Sequence, residues 1–327
     1  MKYEIVDVSK FATDEVEPLG TKSKYWFSDS KGVSYLFKSI ETYDSNNQLV
    51  SRGGEDWAEK ISCEIAKALS IPCADYELAN NGKTRGVITK NFIMAPNAYL
   101  VTGNEILKNF SPPTPVTGQK NNERQNVMHI HTLLRRLVRH KPPGFNSLAG
   151  IKSAADFFTG YLLLDALISN QDRHSENWGL VVTGHGRFHL APTFDHAASL
   201  ARNESEENKE KRLHSPDIGQ QVSTYVKRAK SYFYLRNNRL KTLQAFEYFG
   251  VLNPSAALRW LEQLSGLTPE IMRAIIEPVP EEIMSNVSKK FALEMLLCNR
   301  SNMMTLGTFF EQNLDQAFRK NQIENYE

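Results

Sequence analysis

The stretch ISNQDRHSENWGLV, residues 168–181, crowds Asp172, Arg173, His174 and Asn177 together just before an apolar run. Polar crowding of this kind is usually a solvated loop. An Asp and an Asn this close in sequence can, however, converge from one tight loop. Phosphoryl transfer from ATP needs a carboxylate near the attacking hydroxyl and hard oxygen ligands for Mg²⁺. The stretch is therefore either a surface loop or the catalytic loop of a phosphotransferase.

A lysine and a helix rich in glutamates precede this loop. Lys38 ends the apolar run YLFK, so a strand would hold its ammonium group in a fixed place for the phosphates of ATP. The next segment, GEDWAEKISCEIAKALSIP, has apolar residues at helical spacing. Its acids Glu55, Glu59 and Glu64 are candidates to pair with the lysine. A lysine held by an acid is the phosphate-binding part of a kinase site.

A second carboxylate follows the loop after a predicted hairpin. WGLVVTGHGRFHLAPTF has two apolar runs around Gly184 and Gly186, which predicts two strands and a turn. The segment PTFDHA then delivers Asp195. Asn177 and Asp195 stand on either side of this hairpin and can clamp Mg²⁺ between them.

The composition is that of an ordinary globular chain. Of 327 residues, 41% are hydrophobic and 23% are charged, and the formal net charge is +2. This balance gives no bulk attraction to nucleic acid, so we expect no direct nucleic-acid binding. The 3 cysteines include no CxxC pair. Their number and spacing argue against a zinc knuckle or a disulfide framework and favour a reducing cytosol.

The N-terminus MKYEIVDVSKF lacks the apolar core of a signal peptide. No apolar run in the chain is long enough to cross a bilayer, so no membrane span is predicted. We expect a cytoplasmic protein, and non-classical export to a host remains open.

The order of predicted elements indicates two lobes. Strand-like runs at Tyr25–Ser28 and Val33–Ile40, the glutamate-rich helix and two further strands fill the first part. A Pro-rich polar segment, SPPTPVTGQKNNERQN, precedes a strongly apolar helix, SAADFFTGYLLLDALISN. After the hairpin come a charged loop, NESEENKEKRLHSPD, and helical patterns from residue 221 onward. We predict a small α/β lobe over 1–100, a larger helical lobe over 101–327, and a ligand cleft between them.

The catalytic-loop candidate also resembles a known family. DRHSEN fits the DRHxxN loop that HipA-like kinases share with phosphoinositide kinases, and PTFDHAASL resembles the metal-binding Asp segment of the same families. YLFK and WAEKISCEIAKALSIP are similar to the lysine strand and glutamate helix of HipA-like proteins, with Ser70 in place of a glycine. The chain looks most like the compact, CtkA-like bacterial members, which lack the extra N-terminal subdomain of full-length HipA toxins. The resemblance implies an α+β, bilobal protein-kinase-like fold.

Carried over residue by residue, the resemblance implies roles within the loop and after the hairpin. Asp172 is the catalytic residue that orients or deprotonates the substrate hydroxyl. Asn177 and Asp195 are the Mg²⁺ ligands. His174 is interpreted as a structural brace for the loop, and Arg173 as an organiser of nearby acids.

The same resemblance implies an ATP site in the first lobe. Lys38 contacts the α- and β-phosphates. When the Ser-Ile-Pro ending of the glutamate helix is aligned with the ending of the family helix, Glu59 becomes the partner of Lys38. The segment LGTKSKYWF resembles the phosphate-binding loop, so that Gly20, Thr21 and Lys22 face the phosphates. The cofactors implied are ATP and Mg²⁺.

A regulatory hypothesis arises in this phosphate loop. HipA-like kinases can phosphorylate a Ser of their own phosphate loop, and Thr21 and Ser23 are the hydroxyl residues available here. The alternative is an ordinary polar turn that is never modified.

The resemblance implies an ATP·Mg²⁺-dependent Ser/Thr protein kinase that acts as a toxin or an effector. Its partners would be a protein substrate with a Ser or Thr acceptor and an antitoxin or regulatory protein. A phosphoinositide kinase would use the same loop, although the sequence has no strong basic surface segment for a lipid head group. A nucleotide-binding interaction module without turnover is the third hypothesis.

Two basic stretches carry alternatives of their own. RRLVRHK, residues 135–141, either touches an acidic partner or is a solvated helix face. STYVKRAKSYFY, with Tyr225, Lys227, Arg228 and Lys230, either contacts substrate or belongs to an amphipathic core helix.

Overall fold

The computed structural model describes residues 2–16, 24–44, 46, 48–51, 53–93, 95–110, 125–138, 140–146 and 148–314. The predicted phosphate-loop residues Gly20, Thr21 and Lys22, together with Ser23, lie outside these ranges, as does most of the Pro-rich segment. Within the described ranges, no helix is both long enough and apolar enough to cross a membrane.

Most strands lie in the first third of the chain, and few follow it. Their bounds are β1 Val6–Asp7, β2 Glu15–Val16, β3 Lys24–Ser28, β4 Ser34–Ser39, β5 Glu41–Tyr43, β6 Leu49–Ser51, β7 Tyr76–Asn80, β8 Arg85–Lys90, β9 Tyr99–Thr102, β10 Gly179–Val182, β11 Phe188–Leu190, β12 Lys230–Leu235 and β13 Asn238–Lys241.

The helices dominate the rest of the chain. Their bounds are α1 Glu55–Ala68, α2 Gly103–Phe110, α3 Val127–Leu137, α4 Ala154–Leu167, α5 Glu206–His214, α6 Val222–Tyr225, α7 Thr242–Leu252, α8 Pro254–Gly266, α9 Pro269–Ile276 and α10 Asn286–Met304.

The N-terminal part is a six-stranded sheet in the order β1-β7-β8-β4-β3-β2. Strand β4 lies inside it, and its Lys38 pairs with Lys24 of β3 on one side and with Val87 of β8 on the other. A residue held by two neighbouring strands has a fixed backbone position. The sheet therefore gives the lysine side chain a rigid base.

Helix α1 packs against this sheet through apolar residues at helical spacing, including the fully buried Ile61 and Ile65. It ends in a Schellman motif, in which Ser70 N–H donates to Lys67 O and Ile71 N–H donates to Ala66 O. Ser70 has a φ of 58°, a left-handed conformation in which glycine is less strained. A glycine at this position would adopt the same turn with less strain.

Helix α4 is the buried helix that its apolar sequence predicts, and it has no solvated face. Ser153 and Asp156 form a capping box at its start. The helix ends at Leu167, three residues before the predicted end at Asn170. Ser169 takes a left-handed φ of 53°, and Asn170 N–H donates to Asp165 O, which turns the chain out of the core into the 171–177 loop.

Two sequence predictions in the C-terminal part are wrong. Residues 206–214 form helix α5 and not a loop, because Ser205 caps the helix and Glu207 pairs with Lys211 one turn on. The helix has almost no apolar stripe, so hydrophobic periodicity does not reveal it. The segment 230–241, predicted as helix, is the antiparallel hairpin β12–β13.

The predicted hairpin after the polar loop is confirmed as β10 and β11, and β9 adds a third strand in the order β11-β10-β9. One large hydrophobic core runs from α1 through α4 to α7, α8 and α10. The architecture is therefore α+β, with a curled N-terminal sheet and a mainly helical remainder, as predicted.

Candidate active site

Lys38 lies between two carboxylates from different parts of the chain. Its Nζ is 3.2 Å from Oε1 of Glu59 on α1 and 3.0 Å from Oδ1 of Asp195, which follows β11. Burial by itself would lower the pKa of Lys38, but the Asp195 and Glu59 carboxylates outweigh it and raise that pKa well above its ordinary value. The structure thus brings three of the predicted site residues together.

Glu59 is buried and is held from a second direction. Its Oε2 accepts a hydrogen bond of 2.8 Å from the backbone N–H of His196. The His196 ring is itself buried, with Nε2 2.9 Å from the Thr193 hydroxyl and Nδ1 3.6 Å from Glu59 Oε2. Burial would raise the pKa of Glu59, but Lys38 and the His196 hydrogen bond bring it below its ordinary value. Of the three candidate acids, Glu59 is the one in contact with the lysine.

Asp195 adopts an uncommon backbone conformation. Its φ is 58°, in the left-handed region that non-glycine residues seldom adopt, although Asp tolerates it better than most. Its N–H donates to the hydroxyl of Tyr76 at 3.2 Å, and Tyr76 is buried beside Lys38. Residues held in sparsely populated backbone regions concentrate at functional sites. The turn aims the Asp195 carboxylate at Lys38.

Arg173 is the structural centre of the 171–177 loop. It is 1% exposed and donates through Nε and Nη2 to both carboxylate oxygens of Asp165, at 2.9 and 2.7 Å. Its Nη1 donates to the backbone oxygens of Asn177 and Phe194, at 2.7 and 2.8 Å. One guanidinium therefore joins α4, the polar loop and the residue just before Asp195.

Asp172 and Asn177 are fixed mainly through the backbone. Asn177 Nδ2 donates to the Asp172 carbonyl oxygen at 2.8 Å, and Asp172 N–H donates to Asn170 Oδ1 at 3.1 Å. The Asp172 side chain is 44% exposed, whereas Asn177 is buried. The loop therefore holds its main chain through hydrogen bonds while the Asp172 side chain stays partly exposed.

His174 packs as part of the loop scaffold. Its Nδ1 accepts the backbone N–H of Glu176 at 3.1 Å, and its ring meets the edge of Tyr232 with centroids 5.6 Å apart. Its Nε2 is 4.0 Å from Asp172 Oδ1, beyond hydrogen-bond distance. This packing fits the interpretation of His174 as a brace.

Three supporting residues lie outside the sequence predictions: Asp165, His196 and Gln125. Asp165 lies in an apolar helix. Because a buried carboxylate needs a cation, an acid at this position predicts a buried ion pair. His196 follows Asp195 directly, but nothing in the sequence links it to Glu59. Gln125 accepts from Trp178 Nε1 at 2.8 Å and donates to the backbone oxygens of Arg173 and Tyr232. No sequence signal points to Gln125, because its partners are all distant in the chain.

These residues fit a nucleotide with its metal ion. Among the described residues, no group of three or more His, Cys, Asp or Glu could hold a metal by itself. Mg²⁺ is usually held by one or two protein oxygens together with substrate phosphates and waters, so Asn177 and Asp195 form a set of the expected size. Because the Asn177 amide nitrogen is committed to the Asp172 carbonyl, its oxygen is turned away from that contact.

The curled sheet carries a buried Lys–Glu pair, and the helical part supplies a polar loop and a turn that ends in an Asp. This combination defines a protein-kinase-like fold. The family model of the HipA-like C-terminal domain matches residues 9–286, and the chain belongs to this family. Family membership and fold support a kinase-like function.

Two solved structures share the fold. The Helicobacter pylori proinflammatory kinase CtkA has a TM-score of 0.69 and 17% sequence identity, over 96% of this chain and 100% of that chain. HipA of Shewanella oneidensis MR-1, solved with HipB and its operator DNA, has a TM-score of 0.54 and 12% sequence identity, over 95% of this chain and 70% of that chain. Curated proteins gave no match.

Replacing Glu59 with Gln is expected to lower thermal stability most at neutral pH. The pKa of Glu59 lies below its ordinary value, so its charge stabilises the fold at every pH above that ordinary value. This contribution is lost as the pH falls through the folded-state pKa, whereas Lys38 stays charged throughout. Melting temperatures of wild type and variant, measured from about pH 7 down to about pH 3, should converge in acid.

The exposed Glu176 in the 171–177 loop provides the matched control. Glu176→Gln makes the same chemical change at the surface and should shift stability by less than about 0.5 kcal/mol. A gap between wild type and Glu59→Gln that stays constant across the pH range would show that the carboxylate charge contributes nothing.

Proposed function

We infer that this protein is an ATP·Mg²⁺-dependent kinase that phosphorylates Ser or Thr hydroxyls of a protein. The proposal rests on the contact of two carboxylates, from Glu59 and Asp195, with the ammonium group of Lys38, at 3.2 and 3.0 Å. Kinases use such a lysine for the phosphates of ATP and such an aspartate for the metal ion. A division into an N-lobe over 1–100 and a C-lobe over 101–327 belongs to this proposal.

In the proposed mechanism, Lys38 binds the α- and β-phosphates of ATP, while Glu59 keeps its ammonium group charged and in position. Gly20, Thr21 and Lys22 would cover the phosphates. Asn177 and Asp195 would hold Mg²⁺, which neutralises the charge that develops on the phosphates. The proposed roles of Lys38, Glu59, Asn177 and Asp195 rest on the contacts described above, and those of Gly20, Thr21 and Lys22 rest on the family resemblance.

Asp172 is the proposed catalytic residue. Phosphoryl transfer forms a bond between the substrate hydroxyl oxygen and the γ-phosphorus and breaks the bond to the β,γ-bridging oxygen. Asp172 orients the hydroxyl and takes up its proton. Its carboxylate is partly exposed while its backbone is held on both sides, which suits a group that must meet an incoming substrate.

The biological setting is part of the proposal. CtkA is a proinflammatory kinase, and the HipA structure includes HipB and operator DNA. By analogy, this protein would act as a bacterial effector or toxin, with an antitoxin or another regulatory protein as its partner. Autophosphorylation of Thr21 or Ser23 remains a hypothesis, and a gain of phosphate on residues 18–30 in intact-mass spectra would support it.

Incubation with γ-labelled ATP and a dephosphorylated bacterial lysate tests the proposed reaction. We expect Mg²⁺-dependent transfer of label to protein, with the labelled residue identified as phosphoserine or phosphothreonine by mass spectrometry. Chelation of the metal should remove the transfer, because without Mg²⁺ the single positive charge of Lys38 cannot offset the charge of the phosphates.

Parallel reactions separate the competing functions. Label that enters phosphoinositide vesicles and not protein would identify a lipid kinase. ATP binding by calorimetry without transfer to protein or lipid would identify a nucleotide-binding module. Either result would overturn the proposed protein kinase.

A further inference from the structure

The hairpin β12–β13 and the turn before it form a strongly basic surface. The segment KRAKSYFYLRNNRLK, residues 227–241, contains six cations and no acid. All six side chains are exposed: Lys227, Arg228, Lys230, Arg236, Arg239 and Lys241. We call this segment the basic hairpin.

The basic hairpin is built onto the proposed catalytic loop. The backbone N–H of Lys230 donates to the side chain of Gln171, the residue before Asp172, at 3.3 Å. Gln125 bridges the two elements by donating to the backbone oxygens of Arg173 and Tyr232, at 3.1 and 3.2 Å. These hydrogen bonds hold the hairpin at a fixed place relative to Asp172.

Aromatic contacts link the catalytic-loop candidate to Arg239 of the basic hairpin. The Tyr232 ring meets His174 of the loop at 5.6 Å, and the guanidinium of Arg239 lies over the Tyr232 ring at 4.6 Å. Arg239 Nε donates to the backbone oxygen of Ser231. That bond leaves the two terminal nitrogens as a fork, which matches the two oxygens of a carboxylate.

The positive charge of the hairpin is not neutralised by carboxylates of the described residues. Across the ranges that the structure describes, none of the six cations forms an ion pair with a carboxylate. Lys230 and Lys241 stand directly opposite each other in the ladder. Like charges in that arrangement destabilise a hairpin, so a fold selected for stability alone would not favour this pair.

We propose that the basic hairpin is the substrate-docking surface and selects protein segments with acidic residues close to the acceptor hydroxyl. This inference rests on the proposed kinase function and adds the substrate class. Carboxylates of the substrate would pair with Arg239, Lys230 and Lys241 while the neighbouring Ser or Thr reaches Asp172. The charge-assisted pairs set both affinity and the register of the acceptor.

The charge distribution favours an acidic peptide over nucleic acid. The formal net charge of the chain is only +2, so the six cations of the hairpin are offset by a net charge of −4 over the other residues. A nucleic-acid footprint usually belongs to a domain that is basic overall, with a pI above about 9. Here the pI is 8.3 and the positive charge is local, which suits a short acidic segment.

Fluorescence anisotropy tests the docking surface without any turnover. The probe is a labelled peptide with a central Ser flanked by Glu residues, compared with the same peptide in which Gln replaces each Glu. The hairpin variant is Lys230→Glu/Arg239→Glu/Lys241→Glu. The control variant, Lys10→Glu/Lys31→Glu/Lys83→Glu, makes the same change of charge at exposed cations of the N-terminal part.

We expect the wild type and the control variant to bind the Glu peptide about tenfold more tightly than the Gln peptide, and the hairpin variant to lose this preference. In a kinase assay, the ratio of kcat/KM for the two peptides should fall in the same variant. Equal binding of the two peptides by wild type, or an equal loss in the control variant, would overturn the inference. The inference would also be overturned if a single-stranded oligonucleotide of the same charge displaced the labelled Glu peptide at a lower concentration than the unlabelled Glu peptide does.

The two proposals fail in different ways. A wild type that binds the Glu peptide through the hairpin but transfers phosphate to no acceptor would refute the kinase function and leave the docking surface supported. A wild type that phosphorylates both peptides with equal kcat/KM would refute the docking surface and support the kinase function.

Discussion

Asp172→Asn is expected to lower phosphoryl transfer by about 10²- to 10⁴-fold, the range that a positioned proton acceptor usually contributes. Asn keeps the size of the side chain but cannot take up the hydroxyl proton. The Asp172 side chain is 44% exposed and its backbone bonds to Asn170 and Asn177 do not depend on the carboxylate. Initial rates with γ-labelled ATP, together with melting temperature, measure both properties, and the melting temperature should hardly change.

Glu176→Gln is the matched control, because it makes the same substitution of acid by amide in the same loop. It should retain wild-type transfer rates. Calorimetry of ATP·Mg²⁺ binding separates the chemical step from nucleotide binding, which Asp172→Asn should leave within about twofold of wild type. Full transfer activity in Asp172→Asn would refute the catalytic role.

The parts of the site that sequence could predict are those whose signal is local. Lys38 ends an apolar run, Asp172 follows a strongly apolar helix, and Asp195 follows a hairpin, so each lies where an element ends. The α+β architecture, helix α4 and the β10–β11 hairpin were predictable for the same reason, since periodicity and turn residues report on neighbours in sequence. Sequence order alone left Glu55, Glu59 and Glu64 open. The helix register implied by the family resemblance points to Glu59, and the packing of α1 against the sheet brings Glu59 to Lys38.

The parts that sequence did not predict depend on distant partners or lack an apolar signal. Gln125 contacts Trp178, Arg173 and Tyr232, and no local pattern marks it. The basic hairpin lies in the region from residue 221 onward whose pattern predicts helix. Its alternation of buried Ser231 and Phe233 with less buried neighbours becomes meaningful only once β13 pairs with it.

Arg173 connects two elements whose relative position the proposed chemistry requires. It binds the backbone of Asn177 in the loop and of Phe194 next to Asp195. One side chain therefore holds Asn177 and the residue just before Asp195, and Asp165 of the buried helix anchors that side chain in turn. A loop of this kind needs a rigid anchor because ligands misplaced by about 1 Å lose much of their effect.

Arg173→Met is expected to destabilise the protein by about 3–5 kcal/mol, because it leaves the Asp165 carboxylate buried without its cation. Burial lowers the pKa of Arg173 and Asp165 raises it more, so the guanidinium is charged at every pH at which the protein folds. The melting temperature should fall by roughly 5–10 °C. The exposed Arg187 lies in the turn between β10 and β11, and Arg187→Met should change stability by less than about 0.5 kcal/mol.

The double variant Arg173→Met/Asp165→Asn distinguishes the lost ion pair from lost packing. If the unpaired carboxylate causes most of the damage, its neutralisation should recover about 1–3 kcal/mol of the stability lost in Arg173→Met. Phosphoryl transfer should not recover, because the double variant still lacks the bonds from Arg173 Nη1 to Asn177 and Phe194. A double variant as unstable as Arg173→Met would assign the loss to packing, and one that regains full transfer would refute the role of Arg173 in positioning the two metal ligands.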